Sequence, residues 1–260
     1  MLAIERRNKI LALLQKESRV VVSDLSKIFH VTEETIRRDL EKLEKDGFAK
    51  KAYGGAIINE SVNSDLPFTV RKTANVVSKQ AIADIISSIV EDGDHIMMDA
   101  SSTAVYIAKQ LKNKKNLTII TNSVEILLEL SDIAGWKILS TGGMMKEGAL
   151  SLVGNQAERM LSNYHVDKAI ISCKGLDIEK GITDSNDMEA EIKRIMIDSA
   201  KLKILAADQS KFDRISFTTI CDLSDVDVIV TDEEPDEKWN TALSPMDVEI
   251  YHSQMVPSEE

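Results

Sequence analysis

The residues 99 to 103, with the sequence D-A-S-S-T, have the residue types of an anion-binding loop. They follow the apolar run H-I-M-M and precede a helical pattern, so free N–H groups at a helix start and the hydroxyls of Ser101, Ser102 and Thr103 would surround an anion. The chain lacks the glycine-rich loops G-x-x-x-x-G-K-[ST] and G-x-G-x-x-G, which disfavours ATP or a dinucleotide. The loop therefore predicts a phosphate site, and the alternative is simple N-capping, which needs only one hydroxyl.

Polar residues end five further apolar runs of the same kind. The six runs cover residues 95–100, 117–122, 136–143, 168–174, 203–208 and 228–232. Ligands of open α/β sheets bind beyond the carboxyl ends of the strands, so these polar ends would converge. Lys174 and Lys211 would supply positive charge, and Asp99 and Asp184 would accept sugar hydroxyls. The predicted ligand site consists of Asp99, Ser101, Ser102, Thr103, Thr121, Asn122, Ser123, Gly142, Gly143, Lys174, Asp184 and Lys211.

A second constellation lies on a predicted helix nearer the N-terminus, E-E-T-I-R-R-D-L-E-K-L-E-K-D. Ile36, Leu40 and Leu43 follow the i, i+4, i+7 rule and define a buried stripe. Arg38 points away from that stripe, and Thr35 lies on the same exposed side. An Arg in this position can donate two hydrogen bonds to a guanine in the major groove, so the pattern predicts a DNA recognition helix. Arg37 would serve a phosphate or an internal acidic partner.

Two further helices and a wing are predicted to position this helix. Residues 4–16 form an amphipathic helix, and Ser23 caps a short second helix whose Leu25, Ile28 and Phe29 face inward. Thr32 caps the third helix, and residues 48–57 alternate like a strand that turns at Gly54-Gly55. The predicted DNA contacts are Ser23, Thr32, Thr35, Arg37, Arg38, Lys42, Lys50, Lys51, Tyr53 and Gly54. A solvated helical hairpin with ordinary surface charges is the alternative interpretation.

The distribution of charge separates these two constellations. The formal net charge of the 260 residues is −11, yet residues 1–60 hold 12 basic and 10 acidic residues, a net of +2. The remaining 200 residues hold 20 basic and 33 acidic residues, a net of −13. Such asymmetry indicates that the two parts have different partners. We expect a domain over 1–58, a linker over 59–77 marked by Pro67, and a domain over 78–260.

The second domain has the pattern of an α/β protein. Apolar strand-like runs alternate with helical segments, which predicts a mainly parallel open sheet with helices on both faces. Cys173 and Cys221 lie in apolar runs and favour buried free thiols in a reducing compartment. The four histidines have no metal-ligand spacing, so we expect no metal site. No uncharged run approaches a membrane span, so a cytoplasmic protein is expected.

Both parts resemble the DeoR family of bacterial transcriptional regulators. V-T-E-E-T-I-R-R-D-L-E-K-L-E-K-D-G followed by Y-G-G-A is similar to the family's winged helix-turn-helix. D-A-S-S-T, T-N-S, L-V-G, G-L-D, G-I-T, D-Q-S-K-F and V-T-D follow in the order of its sugar-phosphate-sensing domain, which is similar in fold to ribose-5-phosphate isomerase. Family members more often have an Arg and a His in place of Lys51 and Tyr53, and D-x-G-T-T in place of D-A-S-S-T.

The resemblance implies a transcription regulator, more often a repressor, that binds double-stranded operator DNA as a dimer or tetramer. A phosphorylated sugar would be its effector, and no cofactor is expected. Two other functions stay open at this point. One is a sugar-phosphate isomerase or deaminase, which would use Asp99, Asp184 or Glu189 as a base. The other is a DNA-binding protein whose larger domain binds no ligand and serves only to form the oligomer.

Overall fold

The computed structural model describes residues 1–58 and 66–253, and the chain divides into two compact units. We call Met1–Ala74 the head and the unit that begins at Asn75 the body. The division falls inside the predicted linker, 59–77. Residues 59–65 of that linker lie outside the described residues. The rest of it is helical in part and is shared between the two units.

The described residues of the head form four helices and one antiparallel sheet of three strands. Its β-branched residues 20–22 form the end of a short first strand and the start of the second helix, and strand β3 lies between β1 and β2. In chain order its elements are α1 Ala3–Glu17, β1 Arg19–Val21, α2 Val22–Phe29, α3 Glu33–Lys45, β2 Ala49–Ala52, β3 Gly55–Ile58 and α4 Phe68–Thr73. The order helix, strand, helix, helix, hairpin is that of the predicted winged helix-turn-helix.

The core of the head forms from the predicted stripe of α3 and the apolar face of α1. Ile36, Leu40 and Leu43 are buried against Ile10 and Leu14.

Two details of α2 differ from expectation. The helix begins one residue before Ser23, so its N-cap is Val21 and Ser23 is not the cap. Ile28 is 57% exposed instead of inward-facing, because one eight-residue helix has only a narrow face against the core.

Helix α4 belongs to the head although it lies in the predicted linker. Val70 is fully buried in the head core, and the side-chain amide of Asn8 on α1 donates to Thr69 Oγ1 at 3.1 Å. The Arg71 guanidinium donates to the Leu66 carbonyl at 3.0 Å and lies 5.5 Å from the centre of the Phe68 ring. The head therefore ends with a packed helix, and α5 of the body begins two residues before the predicted domain start.

The body contains six helices and twelve strands among its described residues. They are α5 Val76–Ile89, β4 His95–Met98, α6 Ser102–Gln110, β5 Thr118–Thr121, α7 Val124–Leu130, β6 Lys137–Ser140, β7 Met144–Lys146, β8 Ser151–Val153, α8 Asn155–Leu161, β9 Val166–Ile171, β10 Gly175–Asp177, β11 Gly181–Asp184, α9 Asp187–Asp198, β12 Ala200–Ala206, β13 Thr218–Cys221, β14 Val228–Val230, α10 Glu237–Leu243 and β15 Glu249–Tyr251.

Seven of these strands form the parallel sheet that the sequence predicts. Their order is β15-β14-β12-β9-β4-β5-β6, and each neighbouring pair is parallel. The six predicted apolar runs are β4, β5, β6, β9, β12 and β14. The fold class is therefore confirmed. The seventh strand, the antiparallel sheet β10-β11-β13 and the hairpin β7-β8 were not predicted, because their short segments mix polar residues or glycine with apolar ones.

The parallel sheet brings the ends of its central strands to one edge. In the register of the sheet, Met98 of β4 lies beside Ile170 of β9 and Thr121 of β5. The residues after these strands must therefore be neighbours at the carboxyl edge. The inner strand residues are buried, as Met97, Ile120 and Ile171 illustrate, so this edge rests on a fixed core.

Candidate DNA interface and ligand site

The start of helix α3 has the geometry of a recognition helix. Thr32 is the N-cap, as predicted, and its Oγ1 accepts from the Thr35 N–H at 3.3 Å. The two threonine hydroxyls lie 2.9 Å apart, so Thr35 supports the cap as well as facing outward. Glu33 and Glu34 occupy the first turn, where their negative charges interact favourably with the positive end of the helix dipole.

The basic residues of α3 are exposed and already have acidic neighbours on the same helix. Arg37 donates to Glu33 at 2.6 Å and Arg38 to Glu34 at 3.2 Å. The side chains of Arg37 and Arg38 are 53% and 76% exposed. Lys42 contacts Asp46 at 2.8 Å near the helix end. Exposed pairs of this kind contribute about 0.3–0.5 kcal/mol each, so DNA phosphates and bases can replace these partners at little cost.

The structure adds one head residue that sequence reasoning missed. Asp39 lies on the buried side of α3, where its Oδ2 accepts from Arg6 Nε and its Oδ1 lies 3.6 Å from Arg7 Nη1. Both arginines come from α1. This buried contact fixes the recognition helix against α1. The available sequence signal was an Asp directly beside the apolar stripe, a position at which a charge for the surface alone is not expected.

The wing is the hairpin β2-β3 with its turn at Tyr53 and Gly54. Lys51, predicted to contact the DNA backbone, has its Nζ 3.0 Å from Glu41 Oε1 and 3.9 Å from Glu44 Oε2. Lys50 lies on the opposite face of the strand and is exposed. Tyr53 and Gly54 are exposed at the tip. The wing thus presents its turn to solvent, while Lys51 is turned towards α3.

In the body, the D-A-S-S-T loop connects β4 to α6. Ser101 caps α6, since its Oγ accepts from the Ala104 N–H at 3.0 Å. The Ser101 N–H donates to Asp99 Oδ1 at 3.1 Å. Ser102 and Thr103 form the first turn, where backbone N–H groups have no intrahelical acceptor. Because Ser101 alone forms the cap, the loop has two more hydroxyls than capping requires.

The interior of the same edge contains a buried ion cluster around Lys193 of α9. Its ammonium contacts Asp184 Oδ2 directly and lies 3.5 Å from Asp99 Oδ2. Asp99 and Asp184 are 1% and 0% exposed. Asp99 Oδ2 also accepts from the Ser172 N–H at 3.0 Å, so this carboxylate ties β4 to the end of β9. Asp99 and Asp184 therefore hold the elements at this edge of the sheet together.

The charges of the cluster stabilise one another. Burial raises the pKa of Asp184, but the charges of Lys193 and Lys174 outweigh burial and hold that pKa below its ordinary value. Burial lowers the pKa of Lys193, but Asp184 and Asp99 outweigh it in turn and raise that pKa above its ordinary value. Asp184 and Lys193 are therefore both charged at neutral pH. Carboxylates and an ammonium in one buried edge are typical of a functional site.

A second group of charges surrounds the D-Q-S-K segment. Asp208 is 3% exposed, and its Oδ1 accepts from the Ser210 N–H at 3.0 Å. Burial raises the pKa of Asp208, but the charge of Lys211, the Ser210 hydroxyl and the charge of Lys79 hold it below its ordinary value. Burial also raises the pKa of Cys173 to about 12, and Lys211 and Lys193 both act on this thiol. Charges from both groups therefore act on Cys173.

The end of β5 contributes one unsatisfied polar atom. Thr121 Oγ1 donates to the Met98 carbonyl at 2.7 Å, and Ser123 Oγ caps α7 by accepting from the Ile126 N–H. Asn122 Nδ2 donates to the Leu152 carbonyl at 3.1 Å. Asn122 is only 2% exposed, so its Oδ1 is shielded from water. Within the described residues this Oδ1 nevertheless has no hydrogen-bond partner. An unsatisfied buried acceptor costs about 1–3 kcal/mol, which a ligand donor would recover.

The two predicted glycines have different environments. Gly143 has a positive φ of 106°, and a Cβ there would lie 2.7 Å from the Val153 carbonyl, so only glycine allows β8 this close. Gly142 is exposed. The hairpin that follows them is tied to α9, because Glu189 accepts from Ser151 Oγ at 2.9 Å and lies 3.3 Å from Lys146 Nζ.

The contacts thus join Ser101 to Asp99 directly and Asp99 to Asp184 through Lys193. They also show two buried lysines that the sequence analysis passed over, Lys193 and Lys79. Each occupies a core position of its helix: Lys79 lies three residues before Ile82, and Lys193 lies three residues after Ala190. A lysine within an apolar stripe was the available signal.

Within residues 1–58 and 66–253, the His, Cys, Asp and Glu side chains include no group of three or more arranged to hold a metal ion. The helices of the same residues include none that is both long enough and apolar enough to cross a membrane.

A winged helix-turn-helix joined to an α/β domain with a polar edge defines the class of DNA-binding transcription regulators that carry a sensor domain. Family comparison agrees with this class in both units. The chain belongs to the DeoR family: the DeoR-like helix-turn-helix domain matches residues 6–62, and the DeoR C terminal sensor domain matches residues 74–233.

Similar proteins match over almost the whole chain. The chain is 43% identical over 250 residues to the uncharacterized HTH-type transcriptional regulator YulB of Bacillus subtilis, covering 96% of each chain. It is 35% identical over 243 residues to the HTH-type transcriptional regulator GolR of Listeria innocua, covering 94% of each. Among solved structures, ribose 5-phosphate isomerase A from Methanocaldococcus jannaschii is 17% identical, with a TM-score of 0.38 over 52% of this chain and 53% of that chain.

Proposed function

We propose that this DeoR-family regulator represses an operon for carbohydrate use and that a phosphorylated sugar relieves the repression. Two similar proteins carry names of this kind. One is the putative aga operon transcriptional repressor of Escherichia coli O157:H7, 33% identical over 231 residues with coverage of 88% of this chain and 86% of the relative. The other is the HTH-type transcriptional repressor GlcR of Bacillus subtilis, 34% identical over 246 residues with coverage of 95% of each.

DNA recognition is assigned to the exposed side of α3. Thr35, Arg37 and Arg38 would contact base edges and neighbouring phosphates in the major groove. Residues 1–60 have a net charge of only +2, so a single head would bind weakly at physiological salt. A dimer or tetramer that engages two half-sites at once would supply the missing affinity.

The observation that carries the ligand proposal is the unpartnered Oδ1 of Asn122 beside the start of α6. Its strand, β5, pairs with β4, and the D-A-S-S-T loop follows β4 at the same edge. The loop's N–H groups and hydroxyls would hold a phosphate, and Asn122 Oδ1 would accept from a sugar hydroxyl. Lys174 and Lys211 would complete the site. A ligand with both a phosphate and hydroxyls fits this combination.

Relief of repression requires the ligand to favour one arrangement of the DNA-binding heads over another. A ligand that binds both arrangements equally shifts nothing, however tightly it binds. The free energy of ligand binding must therefore differ between the DNA-bound and the released oligomer. By linkage, the same DNA must weaken binding of the sugar phosphate by the same factor.

The test is a thermal-shift screen of the full-length protein with pentose, hexose and polyol phosphates, and with inorganic phosphate as the reference. A hit should raise the melting temperature more than inorganic phosphate does and should release DNA. The double variant Ser102→Ala and Thr103→Ala should lose this response and keep DNA binding without ligand. Ser162→Ala, at the end of α8, is the control. A normal response in the double variant would place the phosphate elsewhere.

The contacts at the same edge disfavour the alternative of an isomerase or deaminase. A general base works best with a pKa near the operating pH. The pKa of Asp184 is held below its ordinary value, and Asp99 and Glu189 lie beside lysines. Following the sugar-phosphate hit by NMR over hours distinguishes the two functions. A regulator returns the compound unchanged, and an enzyme converts it.

A further inference from the structure

The body begins at Asn75, whose backbone has a conformation that is uncommon for a residue with a side chain. Its φ is 49° and its ψ is 43°, in the left-handed region, which asparagine adopts more often than most residues. Asn75 directly precedes α5, and Ala74 before it is the last residue of the head. The backbone of Asn75 therefore sets the direction of the peptide that joins the two units.

The side chain of Asn75 contacts the D-Q-S-K segment, residues 208–211, and not its own helix. It forms no cap hydrogen bond with α5, although asparagine is a common N-cap. Its Nδ2 instead donates to Asp208 Oδ1 and to Ser210 Oγ, each at 3.5 Å. An ordinary hydrogen bond of this kind measures about 2.7–3.2 Å, so both contacts are long. The amide therefore approaches the segment without closing on it.

Asp208 is shared between this helix start and the predicted ligand site. Burial raises the pKa of its carboxyl, but Lys211, Ser210 and Lys79 outweigh burial and hold that pKa below its ordinary value. Lys211 belongs to the predicted ligand site. Lys79 is buried in the first turn of α5, where its N–H donates to the Asn75 carbonyl at 3.1 Å. One buried carboxylate thus interacts both with a ligand-site cation and with the start of α5.

A phosphate bound at Lys211 would change the balance of charge at Asp208. The anion offsets the positive charge of the ammonium, so less positive charge acts on the carboxylate. Asp208 is only 3% exposed, so water cannot compensate, and its attraction to Asn75 and Lys79 becomes stronger. Both of these residues belong to the start of α5. A bound phosphate therefore draws the helix start and the D-Q-S-K segment together.

We propose that Asn75 is the positioning residue that couples the ligand site to the DNA-binding head. A phosphate at Lys211 shortens the contacts of the Asn75 amide with the D-Q-S-K segment, and the accompanying rotation of its backbone redirects the peptide that leads to the head. This role rests on the proposed function, because Lys211 is taken as a phosphate-binding residue. It supplies the change in head arrangement that relief of repression requires.

The test is a double-mutant cycle that needs no ligand. Lys211→Gln imitates the bound phosphate, because it removes the positive charge that acts on Asp208. Asn75→Gly removes the amide and still allows the left-handed backbone. The affinity of each full-length variant is measured for a duplex that the unaltered protein selects from a randomised pool.

The cycle should be strongly non-additive. Lys211→Gln alone should weaken DNA binding about tenfold, a factor typical of coupled sites. Asn75→Gly alone should stay within about twofold of the unaltered protein, and so should the double variant, because the amide that carries the change is missing. Asn75→Asp, which also tolerates the left-handed backbone but repels Asp208, should suppress the loss in the same way.

Two matched controls isolate the position and the charge. Asn116 of the body also has a positive φ, 58°, so Asn116→Gly makes the same chemical change at another left-handed asparagine. Combined with Lys211→Gln, it should leave the tenfold loss intact. Lys201→Gln removes one positive charge from an 80% exposed lysine and should change DNA affinity by less than about twofold.

Three results would overturn the role of Asn75. A loss that persists in the double variant would show that the change at Lys211 reaches the head by another route. Unchanged affinity of Lys211→Gln would show that its charge does not control the helix start. A large loss in Asn75→Gly alone would make Asn75 a support of the DNA-bound arrangement and not a coupling residue. Because the cycle uses no sugar phosphate, its outcome is separate from that of the thermal-shift screen, and either can fail while the other succeeds.

Discussion

The head and the body are both rich in charge, but they pair their charges in different places. On helix α3 of the head, Arg37 and Arg38 meet carboxylates four residues away on an exposed surface. In the body, Lys193 contacts Asp99 and Asp184 in the interior, where the two aspartates are at most 1% exposed. Exposed pairs are weak and exchangeable, whereas a buried pair is costly to break.

This difference teaches how one acidic chain prepares for two anionic partners. In the head, Arg37 and Arg38 have exposed partners that DNA can replace easily. The body fixes its charges in advance, so a ligand must fit the pattern of groups already present. Preorganised groups lose little freedom when a ligand binds, which favours selectivity over simple attraction.

The largest effect is expected from Lys193→Met. The variant leaves Asp99 and Asp184 buried without their shared cation, and breaking a buried pair in this way costs about 3–5 kcal/mol of unfolding free energy. Both tryptophans, Trp136 and Trp239, lie in the body, so urea unfolding followed by tryptophan fluorescence reports on this unit. Lys201→Met, which removes an 80% exposed lysine from its pair with Asp167, should cost less than about 1 kcal/mol.

The pH dependence gives Lys193→Met a second readout. In the unaltered protein the pKa of Asp184 is lowered from 3.8, so its stabilisation is present above about pH 4 and is lost as the pH falls below that value. In the variant Asp184 stays buried without Lys193, so its pKa rises. Acidification from pH 8 to pH 5 should then stabilise the variant and leave the unaltered protein unchanged. Parallel pH profiles would contradict the buried pair.

The next effect concerns the buried carboxylate of the head. Asp39→Ala removes the acceptor of Arg6 and should destabilise the head by about 2–3 kcal/mol. Circular dichroism at helical wavelengths detects both units, whereas tryptophan fluorescence detects only the body. The first signal should shift and the second should not. Asp46→Ala, at the exposed end of α3, is the control, and a shift in both signals would show that the two units unfold together.

The sequence predicted the fold where patterns were long and regular. The stripe of α3 has a clear helical period, and the six strands of the parallel sheet lie in continuous apolar runs that end in polar residues. Strand β15 has three residues and α2 has eight, which is too short for a period to define a face. Ile28 therefore was placed inward and lies outward.

Prediction of the site succeeded for backbone position and failed for pairing. Ser101 and Asn122 follow strands, so topology alone brings them to the carboxyl edge. Lys193 could not be placed, because its partner Asp99 is remote in sequence and only tertiary packing joins them. For the same reason the strand pattern does not reveal that Lys51 lies near Glu41 and Glu44 on the facing helix. The ligand and DNA contacts themselves stay predictions.

A smaller effect, on DNA affinity, is expected from Arg38→Ala. The guanidinium is 76% exposed, and its loss should cost about 1–3 kcal/mol of specific binding free energy and relax the preference at one base pair. The measurement is the affinity for the selected duplex and for variants of it at each position. The stability of the head should change little, because only an exposed pair is lost. Unchanged affinity together with unchanged base preference would remove Arg38 from the recognition surface.

The smallest effect is a gain. In the double variant Glu33→Gln and Glu34→Gln, Arg37 and Arg38 lose their acidic neighbours, each worth about 0.3–0.5 kcal/mol, so DNA affinity should rise about twofold per site. The same change removes negative charge from the helix start and should lower head stability by a similar small amount. Glu179→Gln in the body is the control for one unit of net charge. If that control improves DNA affinity as much per charge, the overall repulsion between the acidic protein and DNA limits the affinity, and the loss of the arginines' acidic partners does not explain the gain. The contrast between head and body would then be weaker.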